Sequence, residues 1–206
     1  MILYFARHAE SLANTRRIIS NRDLPHPLTA NGRDQAQKLA ETLANEGINA
    51  IYTSPVPRAF ETAGILAESL SLPIEVSDGL REFDAGVLEG RSDLLAWMRF
   101  SSLWNGWFYR RQFDRRIKGG ESYREASCRF TGFAERLVSS LAETGARVLC
   151  ITHGGVLRVG LPGLISNMNF ETIREKPIHY TTIIKVSLEN GSWYCRGWDE
   201  IELNSE

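Results

Sequence analysis

Short, almost wholly apolar runs alternate along the chain with longer stretches in which apolar residues return every three or four positions. Residues 1–5 (Met-Ile-Leu-Tyr-Phe) carry no charge, and residues 146–152 form the clearest apolar run of all. Runs of this kind fit strands of a parallel sheet that is covered on both faces. Residues 49–53 and 73–77 are predicted as two further strands. Between them, Ala36, Leu39, Ala40 and Leu43 lay an apolar stripe along a helix over residues 33–45, with Gly47 as its stop. Pro57 suits the first turn of a second helix, whose inner face is Ala59, Ala63, Leu66, Ala67 and Leu70. Ala126, Phe130, Phe133, Leu137 and Leu141 predict a long helix over residues 121–143, ended by Gly145. An apolar stretch covers residues 156–165. Residues 181–188 and 192–198 flank Asn190-Gly191, a strong hairpin signal, and read as an antiparallel pair. Two segments lack a period and read as loops: residues 15–29, where Pro25 and Pro27 forbid a helix, and residues 80–90.

Strands alternating with helices, then a hairpin, predict an α/β protein: a three-layer α/β/α sandwich with a mainly parallel sheet. Right-handed crossovers bring its loops to one edge. The 206 residues suit one domain spanning residues 1–206. Residues 91–118 break the pattern. They hold Trp97, Trp104 and Trp107 together with Phe100, Phe108, Tyr109 and Phe113. Arg91, Arg99, Arg110, Arg111, Arg115, Arg116 and Lys118 face only Asp93 and Asp114, a local balance of +5. This segment reads as a helical cap insertion, with arginines that attract an anion and aromatics that touch the rest of the substrate.

Composition narrows the function classes. With 43% hydrophobic and 24% charged residues and a formal net charge of -1, nothing argues for nucleic acid or a membrane surface as partner. No run approaches the roughly 18 apolar residues of a membrane span. Met1 leads directly into a strand carrying Arg7, which leaves no room for a signal peptide, so the cytoplasm is expected. Cys128, Cys150 and Cys195 make neither a disulfide framework nor a zinc site, and Cys150 reads as core.

The chemistry sits where the strands end. Arg7-His8 follows the first strand, Arg58 the second, and His153-Gly154-Gly155 the strand at 146–152; Glu82 lies on the loop after the third. In a parallel sheet these ends share one edge, where ligands bind. Arginine's planar fork matches phosphate oxygens, and histidine can be nucleophile, base or acid near neutral pH. Together they suit phosphoryl transfer through a phosphohistidine, with Glu82 protonating the leaving oxygen. The arginines supply the positive charge and no ligand cluster is visible, so neither a metal nor another cofactor is expected.

Arg7-His8-Ala9-Glu10-Ser11 with Asn14 resembles the signature of the histidine phosphatase superfamily, in its phosphoglycerate-mutase-like branch. Leu28-Thr29 with Gly32, Thr53-Ser54-Pro55 with Arg58-Ala59 and Thr62-Ala63, Leu80-Arg81-Glu82 with Gly86 and Glu89-Gly90, Gly119-Gly120-Glu121-Ser122, and Thr152-His153-Gly154-Gly155-Val156 with Arg158 resemble its further motifs in order. His153-Gly154 separates this branch from the acid-phosphatase branch, in which Asp follows the second histidine. The resemblance implies that His8 is the phosphorylated nucleophile, that Arg7, Arg58 and His153 form the phosphate pocket, and that Glu82 is the proton donor. It implies that Asn14, Ser20 and Asn21 line the entrance and that Gly154 offers backbone N–H to the anion. Ala9 stands where the family usually has Gly; alanine fits if its φ is negative and its methyl has room.

A phosphatase, a mutase and a non-catalytic binder of phosphorylated ligands all fit these motifs. The intact His8, Glu82 and arginines argue against the binder. The brief tail at residues 202–206 has little with which to seal the site against water, as a mutase must. The expectation is a phosphatase acting on a small phosphorylated metabolite. Sugar phosphates, phosphoglycerate, nucleotide-loop phosphates and phosphoprotein histidines all fit such a pocket.

Overall fold

A computed structural model describes residues 1–141 and 145–198. Its six strands are β1 (Ile2–Arg7), β2 (Ala50–Thr53), β3 (Ile74–Val76), β4 (Arg147–Thr152), β5 (Ile183–Glu189) and β6 (Ser192–Trp198). They form one sheet in the order β3-β2-β4-β1-β5-β6. The first four strands of that order run parallel, and β5 and β6 add an antiparallel edge. The helices are α1 (Leu12–Thr15), α2 (Ala30–Leu43), α3 (Pro57–Leu70), α4 (Leu94–Arg110), α5 (Tyr123–Leu141), α6 (Gly154–Leu164) and α7 (Phe170–Glu175). This is the α/β sandwich with a mainly parallel sheet that the pattern predicts.

Strand β1 explains why its run is wholly apolar. Leu3 and Phe5 point to one side of the sheet, into a core shared with Val148, Cys150, Trp107 of α4 and Phe130 of α5. Tyr4 and Ala6 point to the other, against Ala36 and Leu39 of α2 and Ala59 and Ala63 of α3. Side chains alternate between faces along a strand, and here both faces are dry. Phe5 and Phe130 meet at 5.1 Å between ring centres, and neither is exposed. Burying one such side chain contributes about 1.5–3 kcal/mol.

Several expectations are refined. Helices α1 and α7 are additions to the pattern; each is short, and α7 is capped by Asn169, whose side chain accepts from Thr172 N. The loop at 80–90 carries 3-10 turns at Asp78–Leu80 and Gly86–Leu88. Residues 91–118 contribute the single helix α4 and a non-helical return. The expected helix over 121–143 is present through Leu141, while its last two positions and the tail at 202–206 lie outside the described residues.

Register decides what lies at the sheet's carboxyl edge. Arg7 pairs with Thr152 and Thr53 with Ile151, so His8, Ser54 and His153 leave three neighbouring strands at nearly one level. His8 N donates to Thr152 O at 2.9 Å and Ser54 N to Ile151 O at 3.0 Å, continuing the ladders past the strands.

Candidate active site

A cavity of about 310 Å³ opens at that edge. Arg7, His8, Asn14, Ser20, Asn21, Arg58, Glu82 and Gly154 line it, so eight of the nine residues singled out from the sequence meet in one hollow. The ninth, His153, is wholly buried and is absent from the wall. It lies behind Arg58, whose Nη2 donates to His153 Nδ1 at 3.0 Å. With Nδ1 accepting, His153 Nε2 donates to Ser54 Oγ at 2.7 Å, so both ring nitrogens are engaged.

His8 is oriented from both sides. Its Nδ1–H donates to Ala9 O at 2.7 Å, which leaves the lone pair on Nε2, and Arg58 Nε donates to that lone pair at 2.8 Å. Burial first, then the Arg58 and Arg7 guanidiniums, hold His8 well below the ordinary imidazole range. His153 is held down in the same way, chiefly by burial and then by Arg58. Ala9 has no positive φ and its methyl packs among the α2 and α3 side chains, so alanine fits there. Its N–H donates to Thr62 Oγ1 at 3.2 Å.

The arginines are anchored by carbonyls. Arg58 Nη1 donates to Ser20 O at 2.5 Å, which ties the 16–22 loop to α3, and burial pushes Arg58 down to about 10. Arg7 Nη1 donates to Ile178 O at 2.8 Å, and its guanidinium carbon lies 4.4 Å from the centre of the Tyr180 ring. Arg7 Nε is buried with no hydrogen-bond partner. An unpaired buried donor on a cation beside the cavity is what an incoming anion would satisfy.

Glu82 completes the wall. Its Oε2 accepts from Gly155 N at 2.8 Å and its Oε1 from Phe83 N at 3.0 Å. Burial pushes its carboxyl above the usual range, against the pull of those N–H groups and of Arg58. A depressed imidazole and a raised carboxyl in one hollow are the pairing that acid–base chemistry at neutral pH requires.

The cations of residues 91–118 do not join this site. None of the seven lines the cavity. Arg91 pairs with Asp93, Arg111 with Glu171 and Arg116 with Glu125, while Arg115 donates to Ser102 O. Along α4 the reason is helical phase: Trp97, Phe100 and Trp104, spaced three and four apart, share the face turned to the cavity, and Arg99 and Arg110 are left exposed. Arg158, quoted from the sequence only as part of a motif, does line the cavity; it donates to the carbonyls of Ile173, Arg174 and Lys176. Glu89 was likewise quoted only as part of a motif. Its carboxylate accepts from Asn21 N at 2.8 Å and Ala85 N at 2.9 Å, joining the loop that carries Asn21 to the loop that carries Glu82. Asn21 Nδ2 in turn donates to Phe83 O at 2.8 Å.

A mainly parallel sheet with two arginines, two histidines and a carboxyl converging at its carboxyl edge defines an α/β protein with a strongly cationic pocket. A profile of the histidine phosphatase superfamily (branch 1) matches residues 3–201, and the chain belongs to that superfamily. Its members include phosphatases and mutases. Among curated proteins the chain is 32% identical to the probable phosphoglycerate mutase GpmB of Salmonella paratyphi B, over 95% of this chain and 89% of the relative. Among solved structures it resembles the alpha-ribazole phosphatase from Shigella flexneri, at TM-score 0.81 and 25% identity over the full length of both chains. It shares the fold of mycobacterial glucosyl-3-phosphoglycerate phosphatase, at TM-score 0.79 and 23% identity, covering 96% of this chain and 98% of that one.

Proposed function

We propose that this protein is a phosphatase that hydrolyses a small-molecule phosphomonoester through a phosphohistidine on His8, with Glu82 as proton donor. The observation that carries this reading is the state of His8: Nδ1–H is tied to Ala9 O, and the lone pair on Nε2 is in the hand of Arg58. Arriving phosphate takes Arg58 and the unpaired Nε of Arg7 as its partners, which frees Nε2 to attack. The Nε2–P bond forms as the P–O ester bond breaks, and the departing oxygen takes the proton of Glu82. Water then attacks phosphorus and gives a proton to the Glu82 carboxylate. The N–P bond breaks, and inorganic phosphate leaves. His153 donates to Ser54, so its influence on the anion runs through Arg58.

Replacing His8 with Ala is expected to abolish both turnover and an acid-labile, alkali-stable phosphoenzyme. Labelling that persists in this variant would move the nucleophile elsewhere.

A mutase is the second reading, favoured by the name given to relatives at 32% identity. Incubation with p-nitrophenyl phosphate, and with 3-phosphoglycerate plus a trace of bisphosphoglycerate, separates the two. Release of phosphate without isomerisation supports the phosphatase; rapid isomerisation with little release makes the protein a mutase.

A further inference from the structure

Part of the cavity wall is built from aromatic and aliphatic side chains. Trp97, Phe100 and Trp104 of α4 line it together with Ile18, Ile19 and Phe83. The wall is pre-formed. The Phe83 and Phe100 rings stack at 5.6 Å and 20°, and Trp97 meets Phe100 edge-on at 5.5 Å. Trp97 Nε1 donates to Arg17 O at 2.7 Å, which pins this part of α4 to the opposite lip. Ile19 N donates to Arg91 O at 2.9 Å and Gly90 N to Ile19 O at 2.7 Å, closing the same seam. Trp97, Phe100 and Trp104 nevertheless stay half-buried, each keeping a ring face or edge uncovered.

Charge on this wall is as telling as shape. The cations that line the cavity are Arg7, Arg58 and Arg158. Arg58 is committed to His153, Ser20 and, once substrate binds, the phosphoryl group, and Arg158 to three carbonyls. Among the described cations that line the cavity, only Arg7 holds a buried N–H without a partner, and it flanks His8 in the chain, where the phosphoryl group must lie. A second anionic group on the substrate, such as a carboxylate, would enter an aromatic wall with no free cation to receive it. Desolvating an unpaired charge there costs more than the contact returns.

We infer that the alcohol half of the substrate is uncharged and presents a flat ring, which stacks on the Phe100 and Trp104 faces while the phosphoryl group sits at His8 and Arg7. The inference rests on the phosphatase reading for where the phosphate lies, and adds to it the class of leaving group. A cavity of about 310 Å³ holds a phosphate and a ring or two, at the small end of ligand sites.

The test is equilibrium binding to the His8→Ala protein, which separates recognition from turnover. Inorganic phosphate, phenyl phosphate and 3-phosphoglycerate are titrated in parallel by calorimetry. Phenyl phosphate is expected to bind roughly tenfold more tightly than inorganic phosphate, and 3-phosphoglycerate no more tightly. Adding Phe100→Leu or Trp104→Leu, with unchanged circular dichroism and melting temperature, should bring phenyl phosphate back to within about threefold of inorganic phosphate. The leucines keep apolar volume and remove only the flat face. Equal or tighter binding of 3-phosphoglycerate than of phenyl phosphate overturns the inference, as does equal binding of all three. Failure of inorganic phosphate itself to bind would instead sink the phosphate pocket, and the phosphatase reading with it.

Discussion

The backbone N–H of Gly155 donates to Glu82 Oε2 at 2.8 Å, joining the first turn of α6 to a loop 73 residues earlier in the chain. The contact depends on there being no side chain at 155. A Cβ added there would meet Glu82 Oε1 at 2.6 Å and the Phe83 ring at 2.6 Å. Phe83 cannot give way, because it is packed between Phe100 and Trp107. Gly155→Ala is therefore expected to push the carboxyl off its seat. A displacement near 1 Å at a proton donor lowers kcat by about a hundredfold, and the overpacked core loses about 1–3 kcal/mol in urea unfolding. At Gly154 the added Cβ would touch only the Arg7 side chain, at 3.4 Å, so Gly154→Ala should cost much less on both measures. Equal losses at the two positions would show that crowding of Glu82 is not the cause.

Glu82 holds its proton to higher pH than an ordinary carboxyl because it is buried. On the proposed chemistry this proton matters in proportion to how poor the leaving group is. Glu82→Gln should lower kcat/KM by about 10²–10⁴ for an alkyl phosphate. For p-nitrophenyl phosphate, whose anion leaves unaided, the loss in the first step should be far smaller. The wild-type profile should also carry an alkaline limb above the usual carboxylate range, absent in the variant. A leaving-group-independent loss would remove Glu82 as the acid.

Much of this site could be read from the chain because strands and their carboxyl ends announce themselves locally. Apolar runs located β1, β2 and β4, and register then made convergence of His8, Arg58 and His153 a geometric consequence. The differences came from side-chain pairings that the pattern of residue types does not announce, some local and some between distant segments. Nothing near Arg111 or Arg116 indicates that Glu171 and Glu125 hold them away from the cavity. The phase of α4 accounts only for Arg99 and Arg110, which it leaves exposed; the other five cations lie outside that helix. Glu89 is part of a motif, but its bridging role is not legible, since two of the N–H groups it caps, Asn21 and Arg22, lie more than sixty positions away. His153 was placed correctly along the chain, but only packing could put it behind Arg58.

Arg58 holds three partners at once: His8 Nε2 at 2.8 Å, His153 Nδ1 at 3.0 Å and Ser20 O at 2.5 Å. Arg58→Met keeps the length and loses the charge and all three donors. Removing a preorganised donor of this kind is expected to lower kcat/KM by about 10²–10³. The pH profile should move as well. Arg58 is the second cause, after burial, of the low pKa of His8, so the acid limb should shift to higher pH in the variant. A drop in rate with an unmoved acid limb would mean that the acid limb does not report His8.

Acid stability offers an independent check on the two imidazoles. Burial holds His8 and His153 neutral well below their ordinary range, whereas each titrates near about 6.5 once unfolded. Below that value the unfolded chain binds protons that the folded one refuses. Their contribution to stability is therefore complete above about pH 6.5 and is lost as pH falls toward the depressed folded values, by up to about 1.4 kcal/mol per pH unit for each histidine. Glu82 acts in the opposite sense. Its folded pKa is raised, so its contribution is full below the ordinary carboxylate value and lost as pH rises through the raised one. Comparing variants in a Glu82→Gln background removes that opposing slope. Between pH 7 and 5.5 the stability measured by urea unfolding should then fall less steeply in Glu82→Gln/His8→Asn than in Glu82→Gln alone, because one of the two buried imidazoles is gone. Identical slopes in the two proteins would mean that His8 is already free to protonate in the folded state, and the neutral nucleophile would have to be given up.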